Sequence, residues 1–169
     1  IIRGDRSQTA RFFALPQSRS SAASSRFKYT MDQLTTEVFL RRANQKDIPL
    51  LARMNKCLIE DEGHDKPMGI PELRERMKRF LDTGYDGYLV LVDGREAGYV
   101  LVKSIVKPIY LRHFFIERHS RRQGIGTKAV GRLIELLDAG AIDVEVLHDN
   151  QPAIEFWRKM GFKKRFIGL

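Results

Sequence analysis

The sequence predicts one mixed α/β domain whose sheet is largely antiparallel and flanked by about four helices. Two observations predict it. Apolar runs with the period of strands alternate with runs of helical period in the order β-α-α-β-β-β-α-β-α-β. The first half also carries tight-turn signals for hairpins, whereas the second half has the longer helical crossovers that parallel neighbours need.

Residues 1–31 stand apart. They hold six Lys/Arg against the single acid Asp5, net +5, and serines at 18, 20, 21, 24 and 25 interleave with Arg19 and Arg26. This is the profile of a transit peptide, or of translated upstream sequence, since the chain opens on Ile1 and Met31 precedes the first patterned segment. The reading favours a leader outside the fold and a domain over residues 37–169, with a cytoplasmic location.

Val38-Phe39-Leu40-Arg41 reads as a first strand. Asp47 is then the expected N-cap, with Pro49 in the first turn, of a helix running to about Glu60. Pro71 opens a second helix that stops at Gly84. Tyr88 to Val92, Asp93-Gly94, and Ala97 to Lys103 form a hairpin, because Asp-Gly suits the two positive φ angles of a type I′ turn. Tyr110 to Ile116 is the fourth strand, and Lys128 to Asp138 a helix ended by Gly140. Ile142 to Val146 alternates apolar and acidic side chains as a fifth strand. Pro152 opens a last helix with Gly161 as its C′ residue, and Phe162 to Leu169 closes the chain as a strand.

The whole chain has 169 residues and a formal charge of +9, but residues 32–169 carry 24 bases and 20 acids, net +4. That mild excess suits an anionic small molecule. A nucleic-acid arm is disfavoured, because basic and aromatic residues interleave only at Arg26-Phe27-Lys28-Tyr29. No apolar run approaches the ~18 residues of a membrane helix. Cys57, the only cysteine, lies in an amphipathic helical pattern and reads as a packed thiol. No His/Asp/Glu spacing suggests a metal.

Arg121-Arg122-Gln123-Gly124-Ile125-Gly126 lies at a strand-to-helix junction. Alone such a stretch is more often an ordinary basic turn. As a site, Gly124 and Gly126 permit positive φ and close approach, the amides and helix dipole form an anion cradle, and Arg121 and Arg122 add charge-assisted bonds, which suits a pyrophosphate.

Arg121-x-x-Gly124-x-Gly126, followed downstream by Asn150-x-x-Ala153-x-x-Phe156-Trp157-x-x-x-Gly161-Phe162, resembles the GNAT superfamily of acetyl-CoA-dependent N-acetyltransferases over about residues 37–169. The resemblance implies a sheet splayed between the fourth and fifth strands. It implies that the backbone of Phe114 to Ile116 pairs with the pantetheine arm and that the amides of Arg121, Arg122, Gln123, Gly124, Ile125, Gly126 and Thr127 hold the pyrophosphate. Asn150 would hydrogen-bond the pantetheine, and Phe156 would pack on the cofactor.

The implied reaction is direct attack of a primary amine, of a small molecule or a peptide, on acetyl-CoA, with the amide near Ile116 stabilising the oxyanion. The family's tyrosine acid is replaced by Trp157, whose indole cannot give up its proton near neutral pH. That departure motivates an alternative, a non-catalytic acyl-CoA-binding domain. Candidate bases are Glu145, Glu117, His113 and the cluster Glu60-Asp61-Glu62-His64. Glu145 stands where the ribosomal-protein N-terminal acetyltransferases place a catalytic glutamate, yet also fits an outward strand position. Glu117 directly follows the cofactor strand, though its position suits a solvated loop acid better. The short ending after Phe162 leaves room for a homodimer that completes the sheet.

Overall fold

Seven strands form one sheet in the order β2-β3-β4-β5-β6-β1-β7. The structure is a computed structural model that describes residues 9–14, 36–63 and 68–165. In chain order these hold β1 (Thr9–Ala14), β2 (Val38–Arg42), α1 (Ile48–Asp61), α2 (Ile70–Asp82), β3 (Asp86–Val92), β4 (Arg95–Lys103), β5 (Ile109–Ile116), α3 (Ile125–Leu136), β6 (Ile142–Leu147), α4 (Gln151–Lys159) and β7 (Lys163–Arg165). The mixed, mostly antiparallel sheet and four helices are as the sequence predicts; the fourth and fifth predicted strands are β5 and β6. His64 and residues 166–169 lie outside the described residues. Among the described residues no helix is long and apolar enough to cross a membrane.

The leader assignment needs correction at β1. Thr9–Ala14 pairs antiparallel with all six residues of β6, and β7 pairs with β1 rather than β6. Ala10 and Phe12 turn into the core, at 5% and 0% exposure, while Arg11 faces out. A basic, serine-rich composition hid a six-residue period-two pattern that buries one face. The chain thus adds a strand of its own, β1, between β6 and β7, where the sequence leaves room for a homodimer to complete the sheet.

Both sheet faces are covered, so β3 and β4 are apolar on both sides. Leu51, Met54, Met77, Leu89, Tyr99, Leu101 and Phe115 pack under α1 and α2. Val100, Leu111, Val130, Leu133 and Trp157 belong to the core under α3 and α4. Cys57 is partly buried against the first cluster, as the helical pattern predicts.

Local chemistry sets the ends. Asn44, not Asp47, makes the side-chain cap before α1: its oxygen accepts from Lys46 N in a short 3-10 turn, while the Asp47 carboxylate reaches back to Asn44 N at 2.8 Å. Asp47 also grips Arg41 in a fork at 2.8 and 3.1 Å. Asp93 and Gly94 have φ of 49° and 78°, as a type I′ hairpin requires. The left-handed residue after α3 is Asp138, φ 44°, rather than Gly140. Gly161, φ 86°, ends α4 in a Schellman motif, with Phe162 N–H on Trp157 O and Gly161 N–H on Arg158 O.

One irregularity positions the site. Leu101 of β4 faces His113 and the adjacent Val102 faces Leu111, so Arg112 is an extra residue in β5. Such a bulge reverses which face each later side chain meets. Ile109 and Leu111 belong to the α3/α4 core, whereas beyond the bulge Phe115 joins the α1/α2 core and Phe114 and Ile116 take the α3/α4 side. Parallel pairing of β5 with β6 stops at Leu111↔Val144, just before the bulge. From there the two strands part.

Candidate active site

The gap opened by that parting continues into a cleft of about 510 Å³, within the size range of small-molecule sites. Its floor is β5: Glu117 N–H bonds Ala97 O on β4. Backbone groups alternate sides along a strand, so the N–H groups of Phe114 and Ile116 point into the gap. The Ile116 carbonyl also faces that way, since Arg121 Nε donates to it at 2.7 Å.

The far wall is the loop into α3. Gly124 is the N-cap residue at φ 75°, ψ 0°, and Arg122 is also left-handed at φ 62°. Alternating handedness turns successive amides to one side, forming a nest for an anion. The first amides of α3, at Ile125, Gly126 and Thr127, have no partner inside the helix by construction. Arg121 N and Lys128 N are taken up by Arg118 O and Gly124 O. Helix α3 starts three residues earlier than the periodicity suggests, which places Gly126 inside it. Gly126 is therefore not needed for positive φ; a Cβ there would meet the Phe156 ring at 3.3 Å. Its service is close approach.

Aromatic rings line the deep end. Phe114 stacks on Phe156 at 5.6 Å and 16°, and Trp157 touches both. Trp157 is 3% exposed and also packs on Phe162 at 4.8 Å. It is a core residue. The Asn150 side-chain oxygen caps α4 through Ala153 N at 3.2 Å, and the residue lines the cleft.

Of the residues singled out by sequence, Phe114, Ile116, Arg121, Arg122, Gly124, Gly126, Thr127, Asn150 and Phe156 all line this cleft. Gln123 and Ile125 do not: the Gln123 amide turns back to His119 O at 2.9 Å, and Ile125 is buried in the core. These two can offer only backbone. The set fits a slender chain bearing amides and a diphosphate, because it supplies an unpaired strand edge ending at a nest of N–H groups.

Arg121 requires a revision. Its guanidinium is held by Asp61 Oδ2 and Ile116 O and lies 5.4 Å over the Phe115 ring, so it braces α1 against β5 instead of pointing at the cradle. Asp61 also takes Arg118 Nη2 at 2.7 Å. Burial works against ionisation of Asp61, but Arg121 and Arg118 together hold its pKa below the usual carboxylate value.

The two carboxylates favoured as bases are not in the cleft lining. Glu145 accepts from Arg11 Nε at 2.5 Å and Tyr110 Oη at 3.2 Å. The outward strand reading is the one its geometry supports, with β1 supplying the partner that sequence reading had set aside. Burial, then the Glu145 charge, pushes the Tyr110 phenol up to about 12. Glu117 lies 3.7 Å from Arg53 of α1. Asp61 and Glu62, from the flagged acidic cluster, do line the cleft beside Leu58; Glu60 sits 3.7 Å from Arg118.

His113 is buried under α2 and forms a relay with two residues sequence reading passed over. Asn55 Nδ2 donates to Tyr99 Oη at 3.0 Å, and Tyr99 Oη lies 3.1 Å from His113 Nδ1. Burial, followed by the charges of Arg76 and Arg112, lowers His113 to about 3. A neutral imidazole then accepts the Tyr99 proton at Nδ1. So weak a base is poorly matched to an amine.

A splayed sheet with an N–H nest at its open end is an arrangement suited to a long anionic molecule lying between two parallel strands. The sequence model described as Acetyltransferase (GNAT) family matches residues 51–162, and the chain belongs to that family. Among particular relatives, it is 26% identical over 137 residues to an "N-alpha-acetyltransferase" of Sulfurisphaera tokodaii, spanning 76% of this chain and 81% of that one. Its fold matches a possible acetyltransferase from Clostridium difficile 630, with a TM-score of 0.65, 13% identity, and 78% and 94% of the two chains covered. It also matches a predicted acetyltransferase solved with acetyl-CoA from Clostridium acetobutylicum, with a TM-score of 0.60, 20% identity and 79% and 96% coverage.

Proposed function

We propose that this chain transfers the acetyl group of acetyl-CoA to a primary amine, a peptide α-amine included. One observation carries the reading: the unpaired β5 edge at Phe114 to Ile116 runs straight into the left-handed N–H nest at Arg122 and Gly124. Similarity to an N-alpha-acetyltransferase supports the amine class. Bound acetyl-CoA supplies an activated acyl group; the chain's part is to bind, orient and move protons.

The β5 edge and the α3 amides fix the cofactor, with Asn150 and Phe156 on its flank. Ile116 N–H, aimed into the gap, is placed to stabilise the carbonyl oxygen as it gains charge. Glu62 is the proposed base, acting directly or through one water, because it lines the cleft and Glu145 and Glu117 do not. Trp157 offers no acid, and the departing thiolate takes its proton from solvent in the open cleft.

Isothermal titration with acetyl-CoA, followed by thiol release over a panel of amines and peptides, tests the reading. Saturable, amine-dependent release supports it. A folded protein without acetyl-CoA affinity overturns it, and affinity without turnover leaves the acyl-CoA-binding role that buried Trp157 favours.

A further inference from the structure

Eight arginines, from Arg11 to Arg165, each hold a carboxylate within 4.0 Å. Arg76, Arg112 and Lys103 do not, yet they converge. Phe80 and Tyr85 form a T-shaped pair at 5.0 Å on the α2 side of the sheet. Arg112 Cζ lies 4.9 Å from the Phe80 centroid and 5.8 Å from that of Tyr85. Arg76 Cζ is 5.6 Å from Phe80, and Lys103 Nζ is 5.5 Å from Tyr85.

Among the described residues no carboxylate bridges any of the three. The hydrogen bond shown for Arg76 goes to the weak acceptor Met68 Sδ, at 3.4 Å. Burial, then the charge of Arg112, holds the Arg76 pKa below its ordinary value. Cation–π contact repays part of the cost of gathering like charges. An anion would repay the rest.

The patch adjoins the cleft. Glu62 lines the cleft, and Arg112 of the patch lies two residues before Phe114, which lines it as well. Asp61, bridged by Arg118 and Arg121, and Glu62 line the cleft on the same α1/α2 side of the sheet as this basic patch on α2 and β5.

We propose that Arg76 and Arg112, with Lys103 at the margin, bind an anionic group of the acceptor, so that the preferred amine carries a carboxylate or phosphate a few atoms away. This rests on the acetyl-transfer reading above and names its substrate class. Planar guanidinium forks suit both anions. The patch owes its place to the β5 bulge, which turns Arg112 toward α2.

The test uses the full chain at saturating acetyl-CoA and three matched pairs: β-alanine with β-alaninamide, phosphoethanolamine with ethanolamine, and peptides beginning Ala-Glu with Ala-Gln. In at least one pair the anionic member should show about 10-fold or higher kcat/KM, the worth of a charge-assisted bond. Arg112→Met should erase that preference and leave the neutral member and the acetyl-CoA Kd unchanged. The pair that responds tells carboxylate from phosphate and free amine from peptide. Neutral members used equally well throughout, or equal losses for both members in Arg112→Met, would overturn the assignment. If acetyl-CoA binds but no amine turns over, the transfer reading fails instead. Ligand-observed NMR of phosphoethanolamine, β-alanine and the Ala-Glu peptide then decides for the subsite: binding lost in Arg112→Met supports it, and binding that survives, or none at all, overturns it.

Discussion

The two sides of the parted strands are built from different materials. Toward α3 and α4 the cleft is made by backbone: an unpaired strand edge, two left-handed residues and the first turn of a helix. Toward α1 and α2 it is lined by side chains, with Asp61 held by Arg121 and Arg118, and behind that lining stand Arg53 near Glu117 and the relay of Asn55, Tyr99 and His113. Backbone geometry tolerates few sequences, so the side proposed for the cofactor is fixed. Ion pairs can be exchanged one at a time, so the α1/α2 side is where an acceptor preference can change.

The largest way to break this comparison lies outside both halves, at β1. Phe12 is fully buried beneath the α3/α4 core and is the residue that ties β1 to β6. Phe12→Ala should lower unfolding stability by about 3–5 kcal/mol, measured by denaturant titration. Unchanged stability would mean that β1 does not belong to the sheet and that the β6 edge is open after all.

The next effect is a pH dependence confined to the α1/α2 half. His113 has a folded value near 3, below the ordinary 6.5, because burial and then Arg76 and Arg112 oppose its charge. The unfolded state therefore takes the proton first. Stability that is full above about pH 6.5 falls by about 1.4 kcal/mol per pH unit toward pH 3 and levels below it. Replacing His113 by Phe should remove this slope between pH 6 and 4. A wild-type profile flat over that window would show that the imidazole charges inside the fold.

Gly124 sharpens the contrast from the other half. At φ 75° with open space where a Cβ would go, Gly124→Ala carries only the left-handed backbone penalty, about 1–2 kcal/mol. If the nest relaxes to escape it, acetyl-CoA affinity should drop about 5- to 30-fold while amine KM stays put. Titration of both ligands separates the two; an amine-only effect would contradict a backbone-built cofactor wall.

What the sequence made legible follows the same division. The nest and the C′ glycine of α4 were readable because glycine has few reasons to sit where it does, and Gly161 and Gly124 adopt the expected positive φ. For Gly126 the positive-φ reason fails and close approach stands, with Phe156, thirty residues on, as the neighbour that demands it. The charged partners of Glu145, Glu117 and Arg121 were invisible, because each ion pair joins segments far apart in the chain: 134 residues separate Arg11 from Glu145 and 60 separate Asp61 from Arg121. No periodicity records such pairs. The bulge at Arg112 was equally hidden, because it is defined by the register of β4, not by any residue that β5 contains. The pattern of β1 was present in Ala10 and Phe12 but was outweighed by the composition around it.

Arg121 is the residue on which the two halves meet, and its replacement has the smallest predicted effect and the most informative direction. Sequence alone makes it a phosphate ligand, for which Arg121→Ala should weaken acetyl-CoA binding by about 10- to 150-fold. The structure gives its guanidinium to Asp61 and Ile116 O, with Arg122 and the amides left to the anion. Removing it should then loosen the end of α1 and let the Asp61 carboxyl rise toward its ordinary pKa, with Arg118 still attached. The expected result is an amine KM raised by less than about 10-fold, as for a partly exposed pair, with acetyl-CoA Kd nearly unchanged. Arg122→Ala should show the reverse ratio. If Arg121→Ala instead costs cofactor affinity and spares the amine, the side chain swings to the phosphate when the cofactor binds, and the brace seen here is a resting position of the cofactor half.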